Sequence, residues 1–366
     1  MSRQSAANRQ IADHLREMIR SGQAKEGDKL PSTQDLSTQW QVARSSIQAA
    51  MTVLVKEGLL ERTPKRGTFV SKQSGKLTRV AIYLADNIWQ RHTAAFDRAL
   101  VSEFCNRLKN RGIVPELWID SRPETEHYTA WPDLINAAEH RRFQAMMCVN
   151  GIGLNWIRHL PVPFVAMASF LSERNCVWFT DCSQIAAQEL VRLGCRTMGV
   201  IDPYPDTQPD GNVLSRPKTI KAFCRAAVEL GGQVRPEWIQ NPVADLPAAD
   251  SEHFGYIAMR RILALPQRPE GLFATHDLVA RGAMIAVLES KIKVPQEMKL
   301  VLHRNLEVGF MCPVPVSFLD HSVVKVVDGL LEMLDSQLNG VELDPIGVAP
   351  TISVFGGYAL PPENDG

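Results

Sequence analysis

The stretch QIADHLREMIRSGQAKEGDKLPSTQDLSTQWQVARSSIQAAMTVLVKEGLLERTPKRGTFV, residues 10–70, decides how the front of the chain folds. Ile11, Leu15, Met18 and Ile19 recur at the spacing of one helical face, and Gly22 stops that helix. Gly27 and Pro31 then force a turn. Ser32 or Thr33 can cap a second helix, with Asp35 in its first turn and Leu36 and Trp40 on its inner side. A third helix is predicted from about Arg44 to Glu57, where Ile47, Ala50, Met51 and Leu54 share one face and Gly58 stands where a left-handed cap is usual. Leu59 to Glu61 and Thr68 to Val70 flank Pro64-Lys65-Arg66-Gly67 and read as a β-hairpin with a basic tip.

On the third helix Ser45, Gln48 and Thr52 lie opposite the apolar face and Arg44 stands at the N-terminal entrance. That is the pattern of a recognition helix, whose first turns reach base edges in the major groove. A polar face alone is what any surface helix has. The turn before it and the Lys65-Arg66-Gly67 tip after it, where a wing would meet the backbone or minor groove, favour DNA reading. Charge agrees: Lys plus Arg and Asp plus Glu number 40 each, but residues 1–75 hold 12 basic and 7 acidic side chains and the remainder 28 and 33, so the front is net +5 and the back net −5.

At these residues the segment resembles the winged-helix domain of GntR-type regulators. Ile11, Leu15, Ile19, Gly22, Gly27, Leu30-Pro31-Ser32, Leu36, Val42, Arg44, Ile47, Ala50, Leu54, Gly58-Leu59-Leu60 and Gly67-Thr68-Phe69-Val70 stand where that family's pattern has them. The resemblance implies that Gln34, Arg44, Gln48 and the Lys65 to Thr68 tip contact operator DNA. Gln34 and Gln48 replace frequent arginines, which implies an operator less rich in guanine, and Ala43 replaces a frequent Ser or Thr cap.

Residues 71–78 are polar and aperiodic and read as a linker between a DNA-binding domain (1–70) and a larger domain (79–357); residues 358–366 read as a loose tail. In the large domain Val80–Leu84, Ile113–Ile119, Ala145–Val149, Val162–Ala168, Met198–Ile201, Gly271–Ala274 and Lys299–Leu302 are predicted strands with helices between, among them His92–Arg111. That alternation predicts parallel βαβ units in two lobes. The stretch Val80 to Phe355 resembles the effector domain of LacI/GalR-type repressors, similar in fold to periplasmic sugar-binding proteins. The residues that carry this are Val177-Trp178-Phe179-Thr180-Asp181, Leu193-Gly194-Cys195-Arg196, Gly271-Leu272-Phe273-Ala274-Thr275-His276-Asp277, Ala280, Gly282-Ala283-Met284 and Val294-Pro295. The resemblance implies three crossovers between the lobes, placed near Asp181, Asn305 and Leu319, and a small molecule in the cleft.

Ligands of open α/β sheets sit at the strands' carboxyl ends. By that rule the candidate ligand groups are Asn87, Asn150, Ser169, Arg216, His276, Asp277, Arg304 and Asn305, with Asp86, Asp181 and Asp202 weighed as helix caps or loop residues. Sugar-binding members favour Asp where this chain has Arg304 or Asn305, and Arg216 stands three residues from the place of a frequent arginine. An Arg-Asn pair suits acidic or phosphorylated sugars. Trp89, Trp118, Trp156 and Trp178 are stacking or core candidates.

Seven cysteines without a C-x-x-C pair read as free thiols in a reducing compartment, and the N-terminus leads into no apolar segment, so a cytoplasmic protein without membrane spans is expected. No G-x-S-x-G, phosphate loop or H-E-x-x-H occurs, and Lys291, Lys293 and Lys299 lack the motif of a cofactor lysine; neither catalysis, metal nor cofactor is expected. The reading is a homodimeric, sequence-specific DNA-binding regulator, a repressor of a near-palindromic double-stranded operator, switched by a small metabolite of carbohydrate type. The alternative is a large domain that only dimerises.

Overall fold

The computed structural model describes residues 3–21, 23–25, 27–56, 59–64, 66–71, 77–85, 87–89, 95–127, 129–149, 155–167, 175–204, 219–242, 250–339, 341 and 343–356. The front unit holds helices α1 (Arg3–Arg20), α2 (Thr33–Trp40) and α3 (Arg44–Lys56) and the antiparallel strands β1 (Leu60–Thr63) and β2 (Gly67–Val70). Its core joins Ile11 and Leu15 of α1, Leu36 of α2, Ile47, Ala50, Met51 and Leu54 of α3, and Leu60 and Val70 of the hairpin. The apolar periodicity thus converges on one point, as amphipathic helices require. The 27–30 segment adds to the hairpin: Leu30 N donates to Thr68 O and Val70 N to Asp28 O, both within 2.9 Å.

The large domain begins at β3 (Arg79–Leu84) and folds into two lobes, each a six-stranded sheet covered on both faces. In the N-lobe β3 pairs with β4 (Val114–Ile119) and β5 (Ala145–Val149), followed by β6 (Phe164–Met167), β7 (Cys176–Phe179) and β13 (Ile346–Val348), all parallel. One face packs on α4 (Ala95–Asn110) and α10 (Val323–Leu338) through Leu100, Phe104, Val327 and Leu330. The other carries Tyr83, Phe143 and Trp156 with Leu134 of α5 (Pro132–Glu139).

The C-lobe orders its strands as β14 (Thr351–Phe355), β12 (Val316–His321), β11 (Lys299–Asn305), β10 (Gly271–Ala274), β8 (Met198–Ile201) and β9 (Ile239–Gln240). All are parallel except β14, which runs antiparallel beside β12 at the edge. Leu272, Leu300 and Phe318 face α8 (Ser251–Leu263) and α9 (Asp277–Ser290); Phe273, Val301 and Leu319 face α6 (Ser183–Arg192) and α7 (Thr219–Glu229). Successive strand residues point to opposite faces, so this division governs everything at the strand ends.

The chain crosses between lobes where β7 gives way to α6, where β12 gives way to α10, and where β13 gives way to β14. The first crossing contains Asp181 as expected and the second lies at His321–Ser322, just past Leu319. The crossing expected near Asn305 is corrected: Asn305 ends β11, whose sequel β12 pairs beside it in the same sheet, and the third crossing lies at Ala349–Pro350. Among the described residues no helix is long and apolar enough to cross a membrane, and no group of His, Cys, Asp and Glu is disposed to hold a metal.

Candidate functional site

Local chemistry sets the pose of the third helix. Ser32 and Asp35 form a reciprocal capping box: Asp35 N donates to Ser32 Oγ, and Ser32 N donates to the Asp35 carboxylate, each at 3.1 Å. The Ser32 hydroxyl, which donates to the Asp35 carboxylate at 2.7 Å, and then Ser32 N hold that carboxyl below the usual carboxylate range. α2 ends at Gln41 in the left-handed region (φ 53°), and Ser37 Oγ donates to Val42 O at 2.7 Å across the turn. α3 therefore leaves the turn with Ile47, Ala50, Met51 and Leu54 buried and Arg44, Ser45 and Gln48 exposed. Gln34 is exposed on α2. At the wing, Arg66 and Gly67 are exposed and Thr68 half-buried. Gly67 has φ 118°, a backbone conformation that residues with a Cβ rarely adopt, so the tip needs glycine. Lys65 lies outside the described residues.

Thr52, on the polar face of α3, also has partners inside the unit. Its hydroxyl donates to Gln48 O at 2.7 Å and accepts from Arg62 Nη2 at 3.1 Å. Arg62, which sequence reading passed over, crosses from β1 to α3 and stands opposite Thr68 in the hairpin register. Its signal in the sequence is its place two residues before the basic tip, on the strand face that Thr68 shares.

The second cluster forms where the two lobes meet. β10 ends at Ala274, and His276 caps α9, its Nδ1 accepting from Leu278 N at 3.3 Å and lying 3.2 Å from Oδ1 of the buried Asp277. On β11 His303 turns to the α6/α7 face, with Nδ1 3.0 Å from Thr275 O and Nε2 3.2 Å from Asn305 Oδ1. His321 ends β12 on that same face, and its ring lies 4.1 Å from that of His303. Phe179 from the N-lobe meets His321 edge-on at 4.4 Å. With Phe96, His276 and Tyr204 these rings form one line from α4 to the end of β8, no successive centroids more than 6.1 Å apart. Burial lowers the pKa of His303 and pulls that of His321 to about 2, His303 and His276 adding repulsion. Both ring nitrogens of His321 are buried without a hydrogen-bond partner among the described residues.

The structure thus brings His276, Asp277 and Asn305 together, along with His303, His321, Phe179 and Tyr204, which sequence reading did not single out. It does not bring Arg304 there. Arg304 faces the α8/α9 side, where its guanidinium donates to both Asp320 oxygens at 2.7 and 2.8 Å and to Ser353 Oγ at 3.0 Å, above the Phe318 ring. The charge on which an anionic ligand was expected is neutralised inside the fold, because strand alternation sends residue 304 away from 303 and 305. Asn87 lies in the turn after β3, accepting from Trp89 N at 3.1 Å. Asp181 takes Ser183 N at 3.0 Å at the head of α6, a cap role. Asn150, Ser169, Arg216 and Asp86 lie outside the described residues. Trp118 and Trp156 pack with the N-lobe core, Trp89 is exposed and Trp178 half-buried.

Residues 7–70 match the family of bacterial regulatory proteins of gntR type, and residues 187–354 match the periplasmic binding protein-like domain. Among curated proteins, the HTH-type transcriptional repressor PurR of Haemophilus influenzae (strain PittEE) is 24% identical over 166 residues, 44% of this chain and 46% of that protein. The mannosyl-D-glycerate transport/metabolism system repressor MngR of Escherichia coli (strain K12) is 40% identical over 65 residues, 18% of this chain and 27% of that protein. The chain matches about half the length of the first of these and about a quarter of the second. Among solved structures, a transcriptional regulator CelR-cellobiose complex superposes with a TM-score of 0.58 at 15% identity, covering 90% of this chain and 99% of that one. The chain carries a GntR-type helix-turn-helix domain at its N-terminus and a periplasmic-binding-protein-like body of two parallel-sheet lobes behind it.

Proposed function

We propose that this protein is a sequence-specific transcriptional regulator, a repressor, that binds a near-palindromic operator as a cytoplasmic homodimer and changes its affinity when a small metabolite enters the interlobe cleft. The observation that carries the reading is α3, held by the Ser32–Asp35 box and the following turn so that Arg44, Ser45 and Gln48 face outward beside a wing with Arg66, Gly67 and Thr68 at its tip. Arg44 and Gln48 read bases; Lys65 and Arg66 meet phosphate or the minor groove. The repressors named above support the direction of control.

For the effector, His276, Asp277 and Asn305 with the line of rings offer hydroxyl-binding carboxylate and amide groups beside apolar ring surface, which suits a sugar or sugar derivative. The cellobiose complex of the structural neighbour supports the same class. A ligand that bridges the lobes favours their closure and so alters the spacing of two DNA heads. For the dimer, Arg281, Ile285 and Leu288 line up along α9 beside the 306–311 loop, where Ile285, Leu288, Leu306 and Met311 expose apolar surface.

The test begins with selection of bound duplexes from a random DNA pool by the full chain, followed by a thermal-shift panel of neutral sugars, sugar acids and sugar phosphates, since a ligand of the folded state raises its melting point. Enrichment of a two-fold-related sequence and a hit that changes its binding are expected. Failure to enrich any sequence overturns the DNA reading. A panel with no hit, on a chain that enriches an operator, favours a body that serves dimerisation alone.

A further inference from the structure

Arg62 is the residue at the corner between recognition helix and wing that the function above leaves without a role. It belongs to β1, directly opposite Thr68 of β2, yet its side chain leaves the hairpin and reaches α3. Nη2 donates to Thr52 Oγ1 at 3.1 Å and lies 3.4 Å from Gln48 O, while Thr52 Oγ1 donates to that same carbonyl. The guanidinium is a planar fork with five N–H donors. Only Nη2 is engaged, so among the described residues Nε and Nη1 have no partner, and the side chain is exposed. An exposed hydrogen bond of this kind contributes little to folding. What the arrangement does is hold a cation at a set place between α3 and the hairpin.

We propose that Arg62 clamps one DNA phosphate at the junction of recognition helix and wing, and that its bond to Thr52 positions it there and ties the wing to α3. This rests on the DNA reading given above and adds a residue to it. A strand that runs past α3 toward the wing must bring its backbone over this corner, since Gln48 stands on one side and Thr68 on the other. With Nη2 held by α3, the guanidinium keeps N–H donors on Nε and Nη1 for a phosphate oxygen while its charge stays fixed at the corner, which the single ammonium of a lysine cannot do. Arg44 at the mouth of α3 and Arg66 at the wing tip are likewise exposed cations of this unit, and phosphate contacts of this kind fix register on a duplex without reading sequence.

The experiment uses the full chain and a fluorescein-labelled duplex taken from the selection described above, with binding followed by anisotropy between 50 and 300 mM KCl, the range over which phosphate contacts express themselves. Wild type, Arg62→Ala, Arg62→Lys and Thr52→Val are compared. Arg62→Ala is expected to weaken binding about tenfold or more at intermediate salt and to make the slope of log K against log[KCl] shallower by about 0.9, one phosphate contact. It is expected to lose a scrambled duplex by the same factor, since the contact carries no sequence information. Arg62→Lys keeps the charge and the slope but loses affinity, and Thr52→Val keeps the slope with a smaller loss. An Arg62→Ala slope equal to that of wild type overturns the proposal, whether or not affinity falls, because a purely structural link releases no counterion. A wild-type chain that binds no duplex sinks the DNA reading itself, an outcome distinct from the failure of Arg62.

Discussion

His303 and His321, from adjacent parallel strands, stack with their ring centroids 4.1 Å apart and their planes 16° from parallel, at the point where the chain leaves the C-lobe for α10. Phe179 closes on them from the N-lobe, and His276, Asp277 and Asp320 are the titratable groups around them. Burial disfavours the charged form of both rings. Their folded pKa values lie below 6.5, so opening or unfolding the body takes up protons wherever free imidazole is charged. The contribution of this pair is intact above neutral pH and declines as pH falls through 6.5. The slope approaches about 1.4 kcal/mol per pH unit for His321, whose folded value lies far below 6.5, and His303 adds in the same direction. Thermal midpoints measured from pH 8 to pH 5 should fall on the acid side, and His321→Phe should flatten that limb. Parallel curves for the two proteins would show that the pair does not set the acid limit.

Arg44 stands exposed at the entrance of α3. Arg44→Ala should abolish discrimination between selected and scrambled duplexes at fixed salt, a loss of roughly 1–3 kcal/mol, without moving the melting point. Equal preference for the selected duplex in wild type and variant counts against its role as a base reader.

Helices α8 and α9 approach through glycine. A Cβ at Gly282 would lie 1.8 Å from Glu252 O, and one at Gly255 would lie 2.3 Å from Val279 O. Backbone cannot yield as a flexible side chain does, so Gly282→Ala should destabilise the body by about 3 kcal/mol in urea melts. A change within error would mean that α8 and α9 separate at little cost.

Arg304 and Asp320 form a two-pronged ion pair in which Asp320 is 5% exposed. Arg304→Met leaves that carboxylate buried and unpaired apart from its bond with Ser353 and should cost about 3 kcal/mol. Adding Asp320→Asn should restore much of the loss, as a double-mutant cycle would measure. Additive losses would mean that the two side chains do not interact in solution.

The winged helix-turn-helix unit was legible because its signals are local. The Ile47, Ala50, Met51, Leu54 face, the Ser32 cap and the glycine at position 67 each act over a few residues, and the structure realises each one. The bond of Thr52 to Arg62 was not legible, since Arg62 comes from another element. The edge strands β9, β13 and β14 and the inner strands β7 and β12 escaped notice because they acquire their identity from the strand beside them.

By itself the sequence determined the winged helix-turn-helix in front, the two parallel-sheet lobes behind it, and the polar outward face of α3. Periodicity, caps and alternation of strand with helix are written residue by residue. Only the tertiary structure decided that His303 and His321 line the interlobe face while Arg304 turns away to Asp320, and that the third crossing lies at Ala349–Pro350. Strand pairing and register settle those, and they are set by contacts between residues far apart in the chain, where a shift of one position exchanges the two faces of a sheet.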